Sequence, residues 1–101
     1  MGNNFEYKIV KTEIYSKWFK SIKDNETKFK IDKRIDRIRG GNFGDSKALG
    51  DGISELRLDF GLGYRIYYTK RENVIIILLC GGDKSTQSKD IKRAKKLASE
   101  V

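Results

Sequence analysis

Ile53-Ser54-Glu55-Leu56-Arg57-Leu58-Asp59-Phe60-Gly61-Leu62-Gly63-Tyr64-Arg65-Ile66-Tyr67-Tyr68-Thr69-Lys70 reads as two strands joined by a glycine turn. Turning about Gly61, residues whose numbers share one sum face each other, so Arg57 falls opposite Arg65. Leu56 and Leu58 then point to one side, with Ile66 and Tyr68 of the partner strand. Glu55, Arg57 and Asp59 share the other side with Arg65 and Tyr67. Like charges directly across a ladder repel, by roughly 0.2–1 kcal/mol for such pairs. A bound phosphate reverses that sign, because guanidinium forks grip it bidentately. Diagonal neutralisation by Glu55 and Asp59 is the alternative that the pattern leaves open.

Downstream, Glu72 and Asn73 turn the chain into Val74–Cys80, apolar at every position and so expected as a central strand covered on both faces. Gly81-Gly82-Asp83-Lys84-Ser85-Thr86 follows. It sets a lysine at a strand exit just before a helix, with Ser85 or Thr86 as the cap. Such a junction suits an anion, and equally any strand–turn–helix connection. The last helix carries Ile91, Ala94, Leu97, Ala98 and Val101 on one stripe and Lys89, Lys92, Arg93 and Lys96 opposite.

Upstream, Asn42–Gly52 is glycine-rich and reads as a loop. Before it, Ile31, Ile35 and Ile38 mark a helix that begins near Asn25 and Glu26 and ends at Gly40-Gly41. Lys30, Lys33, Arg34 and Arg37 project from its other side, and Phe29 has no evident place. An earlier helix, capped by Thr12, shows a heavy face of Ile14, Tyr15, Trp18, Phe19 and Ile22. The two should form an antiparallel hairpin. Phe5, Tyr7 and Ile9 alternate with charged residues as a first strand. The order is βααβββα in one α+β domain, residues 1–101, without repeats or a linker.

Composition narrows the chemistry. Twenty-two Lys and Arg against fourteen Asp and Glu give +8, which attracts nucleic acid or simply makes a soluble basic surface. Histidine is absent, excluding a His/Cys zinc site and an imidazole proton shuttle. The single Cys80 precludes an internal disulfide and points to an intracellular, cytoplasmic protein. Met1–Tyr7 lacks the apolar core of a signal peptide, and Val74–Cys80 is too short to span a bilayer.

The run Gly41-Asn42-Phe43-Gly44-Asp45-Ser46-Lys47, then Glu55-Leu56-Arg57, Phe60–Tyr68, and Leu78–Gln87 with Asp90-Ile91 together resemble a specific group. They look like the phage-type addiction-module killer proteins, HigB-like members of the RelE/ParE superfamily, over about Phe5 to Ala98. The resemblance implies a RelE-like fold: a two-helix hairpin and a C-terminal helix on a mainly antiparallel four-stranded sheet. It also implies a toxin that cuts mRNA on the ribosome without metal or cofactor, the RNA's own 2′-OH attacking the adjacent phosphate. Arg65 matches the third-strand arginine that contacts the scissile phosphate in such enzymes. Arg57 matches a basic position on the neighbouring strand, and Lys84 sits near the basic residue after the last strand. The tyrosine or histidine that relatives place near the final helix is missing between Gly81 and Val101, and Glu55 replaces a basic residue of some relatives. Lys84 and Lys47 are therefore the candidates for the base.

RNA contacts are expected from Lys47, Tyr67, Lys33, Arg37 and Lys92. Against this, charge on an outer helix face is usually just solvated, and strand tyrosines such as Tyr64, Tyr67 and Tyr68 more often pack than stack on bases. The resemblance implies as partners a cognate helix-turn-helix antitoxin, the ribosome with its mRNA, and operator DNA only through the antitoxin, with no membrane. Two other outcomes belong to the same superfamily: a ParE-like inhibitor of DNA gyrase that cleaves no RNA, and a degenerate toxin retaining only antitoxin binding.

Overall fold

The computed structural model describes residues 5–101, so the Met1–Asn4 part of the signal-peptide reading lies outside it. The chain runs β1 (Lys8–Lys11), α1 (Glu13–Ser21), α2 (Asn25–Arg39), β2 (Ser46–Gly50), β3 (Ile53–Leu58), β4 (Tyr64–Arg71) and β5 (Ile75–Gly82). A 3-10 turn (Lys84–Thr86) then leads into α3 (Gln87–Glu100). The strands form one sheet in the order β1-β5-β4-β3-β2, with β1 parallel to β5 and every other pair antiparallel. No helix among the described residues is long and apolar enough to cross a membrane.

Two expectations need correction. The sheet has five strands and is mixed, because part of the expected loop is β2, paired Ser46↔Leu56, Lys47↔Glu55 and Ala48↔Ser54. Its turn back into β3 uses Gly50, Asp51 and Gly52 at φ of 88°, 52° and 79°, a left-handed run that glycine makes accessible. The first strand is displaced to Lys8–Lys11, since its place is fixed by pairing with Ile75–Leu78 rather than by the alternation of Phe5, Tyr7 and Ile9.

The sheet has a core on each face. On one, Tyr15 of α1 and Ile31, Ile35 and Ile38 of α2 pack on Leu56, Leu58, Ile66, Tyr68, Ile76 and Leu78. On the other, Ala94 and Ala98 of α3 cover Ile53, Tyr67, Leu79 and Cys80. The side of the hairpin that carries its charges is thus partly roofed by α3. Thr12 fastens α1 to the sheet: its hydroxyl accepts from the Tyr15 N–H at 3.0 Å and donates to the Leu79 carbonyl at 2.6 Å.

A bulge controls the exit of β5. Tyr68 pairs with Leu78 but Tyr67 with Cys80, leaving Leu79 as an extra residue. Leu79 and Cys80 both join the core beneath α3. Gly81 then faces α1, where the Trp18 ring fills the space a Cβ would need, and Gly82 faces α3, where the Asp90 carboxylate and Thr86 hydroxyl do. Thr86 stands at the N-cap position of α3, as expected, but makes no side-chain cap bond there. Asp83, accepting from the Ser85 N–H at 2.8 Å, caps the 3-10 turn, while the Thr86 hydroxyl donates to the Asp90 carboxylate at 2.5 Å.

Candidate functional site

Arg57 and Arg65 are directly opposed across β3 and β4, as the hairpin arithmetic predicts. In the adjoining row Lys47 pairs with Glu55, and Glu55 with Tyr67. Directly paired residues share a face. One face of the sheet therefore carries a Lys47–Glu55–Tyr67 row beside an Arg57–Arg65–Gly82 row.

Glu55 is the hub. It is 1% exposed, and its Oε1 accepts from Gln87 Nε2 at 2.9 Å. Its Oε2 lies 3.5 Å from Arg65 Nε and 3.9 Å from Arg57 Nε. Arg57 has a second carboxylate, donating through Nε and Nη2 to Asp45 Oδ1 at 3.2 and 3.0 Å. The alternative drawn from the sequence, carboxylates on both guanidiniums, is therefore what the fold builds. Its partners are Glu55 and Asp45, and Asp59 makes no ion pair among the described residues.

The two pairings differ in burial. The Arg57 and Asp45 side chains are 40% and 54% exposed, whereas those of Arg65 and Glu55 are 11% and 2% exposed. Arg65 Nη1 donates to the Gly63 and Tyr64 carbonyls at 3.3 and 3.4 Å, while neither Nη2 nor the buried Nε, which meets Glu55 only as an ion pair, has a hydrogen-bond partner among the described residues. Lys84, exposed at the start of the 3-10 turn, closes on the same spot: its N–H donates to the Leu62 carbonyl at 3.4 Å. A Cβ at Gly63 would stand 3.4 Å from Lys84 Cβ and 3.9 Å from Arg65 Nη1. Arg65 and Lys84 thus flank one glycine of the hairpin turn. The turn that carries Lys84 is held by Asp83, whose carboxyl is kept below the usual carboxylate range chiefly by its hydrogen bond from the Ser85 side chain.

Tyr67 is a correction. It has no exposed surface, so it cannot stack on a base. Its hydroxyl has no partner among the described residues, and burial first, then the nearby Glu55 and Asp90 charges, raise its pKa. Tyr68 is likewise packing, buried against Phe43 with its hydroxyl 2.6 Å from Ser46 Oγ. Cys80 is the inert core thiol expected, pushed up to about 12 by burial.

Lys33 and Arg37 lie on α2, in the layer across the sheet, where with Lys30, Asp59 and Phe60 they line a cleft of about 520 Å³. Lys92 is exposed on α3, beside Ser88 and Lys89 at another cleft of about 490 Å³. These three are not gathered with Arg57 and Arg65. Arg34, expected to project outward, is buried instead: Nη1 donates to the Arg57 carbonyl at 2.7 Å and Nη2 to those of Phe43 and Asp45 at 3.2 and 3.0 Å. Sequence reasoning missed Asp45 and Gln87. Asp45 sits in a glycine-rich run that signalled only a turn, and Gln87 reaches Glu55 across 32 residues, a contact no local pattern encodes. No cluster of three or more His, Cys, Asp or Glu suited to a metal occurs among the described residues.

Residues 17–100 match the family described as "Phage derived protein Gp49-like (DUF891)". The chain belongs to that family. It is 53% identical over 93 residues, 91% of this chain and 94% of the relative, to an uncharacterized protein of Haemophilus influenzae. The fold is RelE-like: it superposes on a mutant of the E. coli toxin RelE in the free state with a TM-score of 0.68 and 18% identity, over 88% of this chain and 98% of that one.

Proposed function

We propose that this chain is the HigB-like toxin of a type II toxin–antitoxin pair, acting as a ribosome-dependent mRNA endoribonuclease. The observation that carries the reading is the opposition of Arg57 and Arg65 across β3 and β4, with Lys84 beside Arg65 at Gly63. The toxin named in the structural likeness and the membership of a phage-derived family support it.

In this reaction the ribose 2′-OH attacks the neighbouring phosphorus and the 5′-oxygen leaves, giving a cyclic phosphate. One proton leaves the 2′-OH and one reaches the 5′-oxygen; Lys84 and Lys47 are the candidates for these transfers. Negative charge grows on the non-bridging oxygens, and Arg65 Nη2 stabilises it, joined by whichever of the two lysines remains an ammonium. Arg57 joins by exchanging Asp45 for the phosphate. That exchange costs little, because an exposed ion pair such as Arg57–Asp45 is worth only about 0–1 kcal/mol. Lys47, Lys33, Arg37 and Lys92 extend the RNA footprint. The partners are a helix-turn-helix antitoxin, the ribosome with mRNA, and operator DNA through the antitoxin, all in the cytoplasm.

The test is cleavage of mRNA on purified ribosomes by the wild type and by Arg65→Ala. Cuts within translated codons, lost in the variant by about 100-fold or more, are expected for removal of a transition-state charge partner. Intact message with growth arrest would sink the proposal. A second reading, a ParE-like gyrase inhibitor without nuclease activity, draws on a specific observation: both guanidiniums already hold carboxylates. Loss of supercoiling in a purified gyrase assay would establish it.

A further inference from the structure

We infer that Glu55 is the positioning residue of the site, a fixed buried carboxylate that aims Arg65 at substrate, while Asp45 is an exchangeable one that substrate displaces. The inference rests on the ribonuclease reading and assigns distinct tasks to two acidic residues that otherwise look like simple neutralisers.

Opposed guanidiniums need an anion between them, and the fold supplies two of unlike character. Glu55 is sealed beneath α3 and anchored at its far oxygen by Gln87, so it stays in place when solvent or RNA arrives. Its other oxygen faces Arg65 Nε at 3.5 Å, while the Gly63 and Tyr64 carbonyls hold Nη1. The guanidinium is thereby fixed at Nη1 by hydrogen bonds and at Nε by the buried ion pair, and Nη2 is left to face a ligand. An arginine so fixed loses little rotamer freedom on binding, which is what preorganisation of a charge site requires. Asp45 grips Arg57 through a half-exposed pair instead, the kind that water and salt weaken. A phosphate therefore displaces Asp45 and leaves Glu55 where it is.

The two roles separate in kinetics. For Glu55→Gln, which keeps the shape and removes the charge, kcat on ribosome-bound mRNA is expected to fall by about 100-fold, the effect of a small misplacement at the reacting centre. KM should change little. For Asp45→Asn, KM should fall, because the competing anion is gone. In an Arg65→Ala background Glu55→Gln should add no further loss, since the residue acts through that guanidinium. Thermal unfolding of each variant confirms that folded protein is assayed, and Gln87→Ala, which frees only the far oxygen, should lower kcat in the same direction by less.

A readout independent of cleavage is the Arg65 Nε–H resonance in ¹⁵N spectra. It should be protected from solvent exchange in the wild type and exchange faster in Glu55→Gln. A folded Glu55→Gln that cleaves within threefold of the wild type and keeps that resonance protected overturns the inference. So does a full additional loss in the Arg65→Ala background. Should the wild type cut no RNA, the ribonuclease reading falls alone, and the resonance still decides whether Glu55 holds Arg65.

Discussion

Arg34 and Lys33 are neighbours of one charge, yet only Lys33 is solvated. The buried guanidinium of Arg34 satisfies the carbonyls of Arg57, Phe43 and Asp45, and so pins the start of β2 and the end of β3 to α2. Burial acts first to lower its pKa, but the group remains a cation at any ordinary pH. Arg34→Ala removes the donor of the Arg57 and Phe43 carbonyls, that of Asp45 keeping the Arg57 N–H, and should lower stability by roughly 2–3 kcal/mol, measured by urea unfolding. Gly44 belongs to the same device, since a Cβ there would stand 3.0 Å from Arg34 Nη2. Cys80 sets an alkaline limit. Its folded pKa of about 12 exceeds the ordinary 9.0, so its contribution is complete below pH 9 and is lost as pH rises from there toward 12. The urea midpoint should decline over that window, and Cys80→Ala should decline less steeply. The inward turn of Arg34 was not legible in its helix, because helical spacing places it beside Lys30 and Arg37 and only the Phe43–Asp45 loop folding back over it decides otherwise.

Helices and central strands were legible because their apolar spacing is strong. Ile31, Ile35 and Ile38 predict α2, and Val74–Cys80 predicts β5 with cores on both faces. β2 was not, since an edge strand offers Ser46, Lys47 and Ala48 mostly to solvent and leaves only Leu49 as an apolar signal. Its pairing partner is found only once β3 is in place. The cap of α1 shows how an element can depend on a distant one. Thr12 both caps its helix and bonds to the Leu79 carbonyl, so Thr12→Ala should cost about 1–2 kcal/mol, more than an isolated cap. Differential scanning calorimetry reads this as a lowered Tm, with Thr12→Ser retaining most of the wild-type value. The junction into α3 is as demanding: Gly82→Ala drives a methyl into the Asp90 carboxylate and should cost roughly 1–3 kcal/mol by overpacking.

The whole molecule carries +8, and the site's own charges are nearly balanced by Glu55 and Asp45. Long-range attraction for RNA then comes from the general surface and local grip from the turn. Binding of a short single-stranded RNA should weaken with salt at a logarithmic slope of about −0.7 per phosphate neutralised. Lys84→Ala should flatten that slope by roughly one such increment in fluorescence titrations. The opposition of Arg57 and Arg65 was legible from the hairpin phase alone, because a glycine turn between two alternating strands leaves few registers. The α3 roof was not, so Tyr67 could pass for a solvent-facing ring. Leu79 is a spare residue: without it, Tyr68 and Tyr67 would face Leu78 and Cys80 in an unbroken ladder, and both glycines would keep their sides. A deletion there forfeits one buried leucine, about 2–3 kcal/mol, and the carbonyl that Thr12 bonds, yet leaves the downstream lysine turn in phase. Shortening by a codon at this point is an evolutionary step the architecture can absorb.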